Sequence, residues 1–356
     1  MFLQRSRAKY SLAFLARGLL AICVVSSRTV AFDQTSATTS QTAESPPLSF
    51  VRAFSSADDV RPEHPVLDRT LNIIAGPADP EVRVDALKSP SAVATDSSHR
   101  IFVADPGAHT VHVFDFVHSK YDRLDRHGDC LHSPISLAVD GQDNLYVLDQ
   151  NSRSVLVYDS NGKFHRRLGK VRGGESYFED PSGIAVDKSS RRIYVCDRQG
   201  HLIYVMDGRG KLLRKLGSRF GGTGAGEFRF PTVVAVAGNE VFVLDTGNRR
   251  IQVFDTGGHF LRALNLAYAD RSTGLTVDSR SNIYISDSSL AQIQVLGHEG
   301  QKRYTFDPSA VKGADFSHPS AMWIDAARSL YVVDSQNNRV EYFKSIATTL
   351  RPNTAR

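Results

Sequence analysis

A six-fold internal repeat is the feature of this sequence that most constrains its fold. Each repeat contains short β-branched and aromatic runs separated by Gly, Asp, Asn and Ser, a pattern that predicts antiparallel strands joined by turns. An aspartate that ends the second run recurs every 42 to 48 residues, which leaves room for four strands of about six residues. The repeats begin at Leu87, Leu131, Phe178, Phe228, Ala269 and Phe316.

Six such units predict an all-β fold, a six-bladed β-propeller of four-stranded antiparallel blades, because one blade buries its faces only against neighbours in a ring. An open stack would need capping repeats, which the sequence lacks. The last repeat stops after its third strand, and the segment "RTLNIIAG", residues 69–76, precedes the first repeat as a fourth strand precedes the others. We therefore predict closure by this N-terminal strand, paired beside residues 340–343.

The regions outside the repeats predict an exported protein, periplasmic or secreted. Residues 1–32 have the basic, apolar and small-residue parts of a signal peptide or leader, and Arg17 interrupts the apolar part, so no stable membrane span is expected. Cys23 offers a lipoprotein alternative, which Ile22 disfavours because a small residue should precede the cysteine. Residues 33–65 are interpreted as a flexible linker, 66–345 as the propeller and 346–356 as a tail.

The charge distribution argues against a nucleic-acid partner. All five positive charges in excess belong to the leader, and the remaining chain has 38 basic and 38 acidic residues. A neutral protein lacks the electrostatic excess that binds phosphate backbones. After the leader only Cys130 and Cys196 remain, without metal-ligand spacing. The basic residues of the leader are Arg5, Arg7, Lys9, Arg17 and Arg28.

The segments "PSGIAVD", "IYVCD" and "FVLDTGNRRIQVFD" resemble the NHL-repeat family of six-bladed propellers over about residues 66–345. The resemblance implies the fold, whereas the family includes RNA binders, protein-interaction modules, lyases and lactonase-like relatives. An NHL-type amidating lyase carries zinc-binding histidines directly after the repeat proline. Because those positions are not histidine here, we expect no such zinc site, no metal and no cofactor. The residues there are Ser91, Ile135, Ser182, Thr232, Thr273 and Ser320.

Two Asp-Thr-Gly tripeptides, at Asp245 and Asp255, have the form of the catalytic segment of aspartic proteases. A protease dyad needs carboxylates about 3 Å apart, whereas these two are predicted at opposite ends of one strand, about 20 Å apart. The repeat alignment instead places Asp245 in a set of six aspartates that we interpret as structural turn caps. These are Asp105, Asp149, Asp197, Asp245, Asp287 and Asp334.

Candidate binding residues gather on the face that carries the loops between blades, here called the loop face. His132 and His318 precede the repeat proline and are either channel-facing or ordinary polar surface residues. Arg250 and Arg339 occupy the Arg position of the NHL repeat, for which a salt bridge between adjacent blades is favoured over ligand binding. Arg153 is a further candidate for partner contact, as is Arg249.

Aromatic residues supply the remaining candidates. Trp323 stands where the other first strands have Ala or Thr, so it either plugs the wedge beside the closing blade or forms part of a ligand pocket. Tyr177 and Phe230 lie near the ends of two long Gly-rich loops that offer contact surface. Phe178 and Phe228 beside them are alternatively simple anchors of those loops.

Two functions remain in competition. The favoured hypothesis is a non-enzymatic exported propeller that binds a protein or small ligand through its loop face. The alternative is a metal-dependent lactonase-like or lyase-like enzyme with its site in the central channel. The second class needs several acidic, Asn or His side chains converging on the axis, and the first strands here begin with small or apolar residues. We therefore expect no catalytic residues.

Overall fold

The computed structural model describes residues 48–60, 85–124, 131–171, 173–266 and 272–345. In these ranges the strands form six four-stranded antiparallel sheets, which confirms the predicted all-β six-bladed propeller. Three short 3-10 helices are also described, at Ala57–Val60, Thr246–Asn248 and Pro308–Ala310. None of the helices in the described ranges has the length and apolar character needed to cross a membrane.

The strands follow the repeat order. Blade 1 contains β2 (Ala92–Thr95), β3 (Ile101–Asp105), β4 (Thr110–Asp115) and β5 (Lys120–Arg123). Blade 2 contains β6 (Pro134–Val139), β7 (Leu145–Asp149), β8 (Ser154–Tyr158) and β9 (Phe164–Leu168). Blade 3 contains β10 (Pro181–Val186), β11 (Ile193–Asp197), β12 (Leu202–Met206) and β13 (Leu212–Gly217). Blade 4 contains β14 (Pro231–Ala237), β15 (Glu240–Asp245), β16 (Arg250–Asp255) and β17 (Phe260–Asn265). Blade 5 contains β18 (Ser272–Val277), β19 (Ile283–Asp287), β20 (Gln292–Leu296) and β21 (Lys302–Phe306). Blade 6 contains β22 (Pro319–Ile324), β23 (Leu330–Asp334), β24 (Arg339–Ser345) and, at its outer edge, β1 (Leu48–Phe54).

The position of a strand in its blade explains its composition. Second strands such as β7, "LYVLD", are buried along their whole length, because both sheet faces pack against neighbouring blades, and β-branched and aromatic residues suit that environment. Outer strands such as β9, "FHRRL", alternate between partly buried and exposed residues up to the buried Leu168, since one face meets solvent. Hydrophobic clusters therefore lie between successive blades rather than inside one blade.

The propeller is closed by an N-terminal strand, as predicted, but the predicted segment was wrong. Strand β1 pairs antiparallel with β24, with Phe50 opposite Phe343 and Phe54 opposite Val340. Strand β23 holds the other edge of β24, so residues 69–76 cannot pair beside residues 340–343. The segment 69–76 lies outside the described residues.

Aromatic side chains explain why β1 takes this place. Phe54 is almost fully buried, and its ring lies 4.9 Å from that of Phe114 and 5.2 Å from that of Phe116, both in blade 1. The ring of Phe50 lies 5.7 Å from that of Phe343 in blade 6. Burial of one such side chain stabilises the fold by about 1.5–3 kcal/mol, so β1 joins the two ends of the ring through its core.

Part of the predicted linker is therefore ordered. Residues 48–60 of the range 33–65 form β1 and a 3-10 helix in which Ala57 and Val60 are buried. The composition rich in Ser, Thr, Gln and Pro, which is typical of a linker, ends near residue 48, and the aromatic residues Phe50 and Phe54 follow it. The leader with Cys23, and the tail 346–356, lie outside the described residues.

The chain path defines the two faces of the propeller. Each first strand starts at the loop face and each second strand returns to it, so the interblade loops and the turns between second and third strands share this face. The turns between first and second strands, and between third and fourth strands, lie on the opposite face. All candidate residues in the turns and interblade loops named above therefore belong to one side of the molecule.

Candidate functional site

Five of the six turn aspartates connect an interblade loop to a turn of the loop face within the described residues. Asp149 accepts hydrogen bonds from the backbone N–H groups of His132 and Ser133, both at 2.7 Å, and from that of Ser152 in its own turn at 2.8 Å. All six carboxylates are almost fully buried. Because buried carboxylates with several N–H donors are satisfied anions, five of the six clamp the loop that enters their blade. Asp287 accepts from the N–H groups of Ser289 and Leu290 in its own turn.

Asp105 shows the electrostatic consequence of this clamp. Burial alone would raise the pKa of Asp105, but hydrogen bonds from His112 and from the N–H groups of Lys88 and Ser89 outweigh it and hold the pKa below its usual value. His112 is itself buried, with Nε2 3.4 Å from Asp105 Oδ2 and Nδ1 2.6 Å from the Tyr121 hydroxyl. The Asp105 carboxylate therefore stays ionised at neutral pH.

Asp245 and Asp255 form no catalytic pair. Asp245 pairs with Arg250 at the start of β16, and Asp255 pairs with Glu240 at its end. The two carboxylates therefore lie at opposite ends of a six-residue strand, on opposite faces of the propeller. Asp255 Oδ2 contacts His259 Nδ1 at 2.8 Å in its own turn.

The central channel is a cavity of about 500 Å³ lined by the first strands of all six blades. At its loop-face end, hydroxyl groups join blades in pairs: Ser91 donates to the Pro134 carbonyl at 3.2 Å, and Ser182 to the Pro231 carbonyl at 3.1 Å. Thr273 occupies the same position in blade 5 and donates to the next blade's proline carbonyl at 2.9 Å. These hydroxyls therefore hold the ring together.

Carboxylates line the opposite end of the channel, where they accept bonds from their own turns. Asp187 accepts from the hydroxyls of Ser189 and Ser190; burial opposes ionisation there, but these bonds lower the pKa of Asp187. Asp278 accepts from the N–H groups of Arg280 and Asn282 at 2.8 Å. Among the described residues, no group of three or more His, Cys, Asp or Glu side chains is placed to hold a metal ion.

Trp323 lies where the ring closes. Its indole Nε1 donates to Thr95 Oγ1 in blade 1 at 2.9 Å, and the ring packs against the clusters between blades 6 and 1 and between blades 1 and 2. The side chain is only partly buried and also lines the channel. The same residue therefore makes the interblade contact expected of a plug and borders the cavity in which a ligand would lie.

The two candidate histidines do not meet in the channel. The N–H groups of His132 and His318 donate to Asp149 and Asp334 at 2.7 and 2.8 Å, which fixes their backbone. The carbonyl of His132 lies 2.5 Å from Nδ1 of His109 in blade 1. Neither His132 nor His318 belongs to the channel lining, so the structure does not bring them together as a site.

Arg250 and Arg339 hold interblade loops. Arg250 contacts Asp245 at 2.8 Å and donates to the carbonyls of Thr223, Gly224 and Glu227 at 2.7–2.8 Å. The predicted salt bridge therefore forms within one blade rather than between adjacent blades, because the arginine and the aspartate lie on paired strands.

Arg339 repeats this arrangement in blade 6. It donates to Glu341 Oε1 at 2.6 Å and to the carbonyl of Asp315 in the loop before blade 6. Its Nε lies 3.6 Å from Asp334 Oδ2, again within the blade.

The loop of residues 218–230, before blade 4, is the most firmly held of the long loops. Besides Arg250, Gln252 accepts from the Gly226 N–H at 2.9 Å and donates to the Glu227 carbonyl at 2.6 Å. Asn248 donates to the Gly222 carbonyl at 2.8 Å. Phe228 is fully buried beside Phe254, with ring centres 5.6 Å apart. The loop is thus anchored by one aromatic side chain and several polar side chains.

This held loop exposes two aromatic residues. Phe220 is 97% exposed and Phe230 is 41% exposed. His201, in the turn of blade 3, lies beside this loop: its ring centre is 4.6 Å from that of Phe230, its Nδ1 accepts from the Phe230 N–H at 3.0 Å, and Gly221, the residue after Phe220, lies next to its ring. We call His201, Phe220 and Phe230 the aromatic patch. Sequence analysis missed Phe220, since its exposure depends on the loop conformation.

The other long loop, before blade 3, is held through aromatic contacts. Tyr177 is partly buried and stacks on Tyr204 with ring centres 6.4 Å apart, and Phe178 contacts the same ring at 5.2 Å. Phe178 is therefore an anchor, while Tyr177 keeps part of its surface accessible.

The remaining candidates lie in the turns of the loop face. Arg153 and Arg249 are exposed, and both have a left-handed backbone, with φ of 44° and 50°. Cys196 is fully buried in β11, and burial raises the pKa of its thiol well above its usual value. Cys130 lies outside the described residues.

Comparisons with solved structures agree with this fold. A gluconolactonase from Xanthomonas campestris shares 16% identity over 72% of this chain and 86% of its own, with a TM-score of 0.55. A virginiamycin B lyase from Staphylococcus aureus shares 12% over 72% and 84%, with a TM-score of 0.51. Hydrazine synthase from Kuenenia stuttgartiensis shares 14% over 75% and 99%, with a TM-score of 0.53. Likeness at these identities concerns the fold alone.

Family comparison is more specific for the repeat region. No curated protein matches the chain. The sequence profile of a family described as a 6-bladed beta-propeller matches residues 91–203 and 190–294, more than half of the 356 residues. The NHL resemblance stays a prediction, since the matched family is described by its blades alone. By this match and by its six described blades, the chain belongs to the 6-bladed beta-propeller family.

Proposed function

We propose that the protein is a non-enzymatic, exported propeller that binds a protein partner through its loop face. The observation that carries this proposal is the aromatic patch, in which a firmly held loop presents Phe220 almost fully to solvent. Single exposed apolar residues are common. The loop that carries this phenylalanine differs, because Arg250 and Gln252 make five side-chain hydrogen bonds with its residues 223–227. Less backbone freedom is therefore lost when the loop binds a partner.

The chemistry of the patch indicates what the partner offers. Aromatic anchors that enter an apolar pocket dominate many protein interfaces. Arg219 and Arg229 flank the two exposed phenylalanines in the sequence, and Arg219 pairs with Glu179 through highly exposed side chains at 3.2 Å. Such exposed pairs contribute little stability, so Arg219 can replace Glu179 by a carboxylate of the partner at little cost in free energy. The partner we propose therefore has an apolar pocket bordered by carboxylates.

The competing proposal is an enzyme with its site in the channel. The structural neighbours named above include a lyase, a gluconolactonase and hydrazine synthase, and the channel volume of about 500 Å³ suits a small molecule. The described channel residues do not fit a metal centre, because the carboxylates there are spread over separate blades and accept bonds from their own turns. Binding at the loop face is accordingly favoured.

Site-specific photocrosslinking tests the proposal. A photoreactive benzoylphenylalanine is placed at position 220, and at position 117 as control, in the cells that produce the protein. Val117 is 64% exposed on the opposite face. We expect a defined adduct from position 220 only, weakened by Phe230→Ala. An adduct of the size of two copies would identify self-association, and equal yields at both positions would contradict the proposal.

Elemental analysis of the purified mature protein tests the enzymatic alternative. A tightly bound metal at one equivalent per chain would favour a channel enzyme over the binding function. A metal-free protein that still gives the adduct at position 220 supports binding at the loop face.

A further inference from the structure

We infer that the loop face carries a second binding site, between blades 2 and 3, in which Arg153 and Lys170 bind an oxyanion group of a ligand. The group is a carboxylate, sulfate or phosphate. This inference goes beyond the proposed function and does not depend on the aromatic patch, which lies between blades 3 and 4.

The first argument comes from the turn position four residues after each aspartate. This residue has a positive φ of 44–54° in all six blades. Left-handed backbone disfavours most side chains but accepts Asn well, as at Asn338 in blade 6. The left-handed backbone therefore does not explain why the turn of blade 2 has an arginine at this position. The six residues are His109, Arg153, His201, Arg249, Ala291 and Asn338.

Neighbouring blades show a structural use of this position that Arg153 does not share. In blade 1, His109 Nδ1 contacts the His132 carbonyl of blade 2, and in blade 3, His201 Nδ1 accepts from the Phe230 N–H of blade 4. In blade 2 the next loop is held differently, because Ser176 Oγ donates to the Arg153 carbonyl at 2.6 Å. The guanidinium group of Arg153 has no hydrogen bond or ion pair with any residue of the described ranges.

The second argument is the repulsion between cations at this corner. Lys170 follows β9 and is partly buried. Burial, together with the charges of Arg153 and Arg167, lowers the pKa of Lys170 below its usual value. No ion pair with a carboxylate of the described residues offsets this repulsion for Lys170 or Arg153. A bound anion would relieve it, since an opposite charge stabilises the protonated ammonium.

Hydrogen bonds fix the backbone positions from which the side chains of Arg153 and Lys170 extend at this corner. Ser176 bonds the Arg153 carbonyl, the Arg153 N–H donates to Gln150, and Lys170 forms an isolated β-bridge with Ser176. A guanidinium fork offers two parallel donors, and an ammonium adds a point charge. This combination suits a compact group with two or three acceptor oxygens.

Titration calorimetry at low ionic strength and pH 7 tests the site, with inorganic phosphate, sulfate and succinate as separate probes. Arg153→Gln and Lys170→Gln are each compared with Arg198→Gln, a control on the same face whose arginine already pairs with Asp180 at 2.8 Å. We expect saturable binding by the wild type, at least tenfold weaker binding by the first two variants, and unchanged binding by the control. Tighter binding of succinate would identify the ligand group as a carboxylate, and tighter binding of phosphate or sulfate would identify it as a tetrahedral anion.

A second measurement separates a binding site from a general charge effect. The pKa of the Lys170 ammonium, followed by NMR of its side chain, should rise when the preferred anion is added. Absence of saturable binding of all three probes by the wild type, or equal weakening by Arg198→Gln, would overturn the inference. Phe220→Ala should bind the anion as the wild type does, so a failure of the proposed function is distinguished from a failure of this site.

Discussion

Replacing Glu341 by glutamine should make the propeller more stable at alkaline pH. Glu341 lies in β24 and is fully buried. Its Oε1 accepts from Arg339 at 2.6 Å and from the Asp315 N–H at 3.4 Å, while its Oε2 has no partner among the described residues. Burial, helped by the neighbouring charge of Asp334, raises the pKa of Glu341 to about 7, against the attraction of Arg339.

The magnitude follows from the difference between the folded and ordinary pKa values. About 7 against 4.5 is a difference of about 2.5, and each unit corresponds to about 1.4 kcal/mol, so ionising Glu341 costs the folded state up to about 3.5 kcal/mol. Because the folded pKa is the higher one, the stability that the protonated Glu341 carboxyl gives the fold is fully present below pH 4.5 and is lost as the pH rises through 7. The wild type should therefore lose stability between pH 5 and pH 9.

The chain itself shows that an amide fits this position. Gln252 occupies the equivalent place in blade 4, where it donates to the Asp245 carboxylate at 3.1 Å and to the Glu227 carbonyl at 2.6 Å. In the Glu341→Gln variant the amide can bond Asp334 and the loop carbonyls in the same manner. Arg339 keeps its contacts with Asp334 and Asp315.

Urea unfolding at pH 5, 7 and 9 measures the effect, with fluorescence of Trp323, the chain's single tryptophan, as the probe of blade 6. We expect the free energy of unfolding of Glu341→Gln to match that of the wild type near pH 5 and to exceed it by up to about 3.5 kcal/mol at pH 9. Glu175→Gln, in an exposed loop, is the matched control and should follow the wild-type curve. Parallel stability curves for wild type and Glu341→Gln across this range would refute the reasoning.

Three further changes test the closure, the held loop and the channel. Phe54→Ala should lower the free energy of unfolding by about 3–5 kcal/mol, whereas Val51→Ala, exposed on the same strand, should change it by less than about 0.5 kcal/mol; equal effects would show that β1 does not close the ring. Arg250→Gln should speed hydrogen exchange at the amides of residues 218–230, because the guanidinium bonds to three carbonyls of that loop are lost, and Arg209→Gln on the opposite face should not. Trp323→Ala should lower the free energy of unfolding by about 3 kcal/mol without changing adduct formation at position 220. Weaker binding of a small ligand with unchanged stability would instead assign the indole to a channel pocket.

The fold was predictable because its main signal repeats. The buried second strands and their terminal aspartates recur six times, so random variation in one blade does not hide the pattern. The closing strand was not found, because the chain order suggested residues 69–76 while the choice depends on which side chains fill the space between blades 6 and 1. Phe54 fills it, while Phe50 packs into the cluster between blades 5 and 6, and only a three-dimensional packing argument could have selected these two residues.

The candidate site was predictable only in part, for a similar reason. The sequence located the loop face and the turn residues Arg153 and Arg249, since these follow from the repeat register. It did not show that Phe220 is exposed, that Lys170 lies beside Arg153, or that Glu341 lacks a full set of partners. Glu341 could have been found by comparing the third strands, because the residue seven positions after the aspartate is His, Gln or Glu in four blades within otherwise apolar runs.

The third-strand position seven residues after the aspartate, together with the arginine two residues before it, explains how a rigid ring carries variable loops. In blade 4, Arg250 and Gln252 bind carbonyls of the loop before the blade, and in blade 6, Arg339 donates to the Asp315 carbonyl while Glu341 accepts from the Asp315 N–H. Blade 3 has Leu202 and Tyr204 in these places and holds its loop through aromatic packing instead. In blades 3, 4 and 6, a loop of the loop face therefore cannot change alone, because its carbonyls or its aromatic anchor must match side chains on the third strand of the same blade.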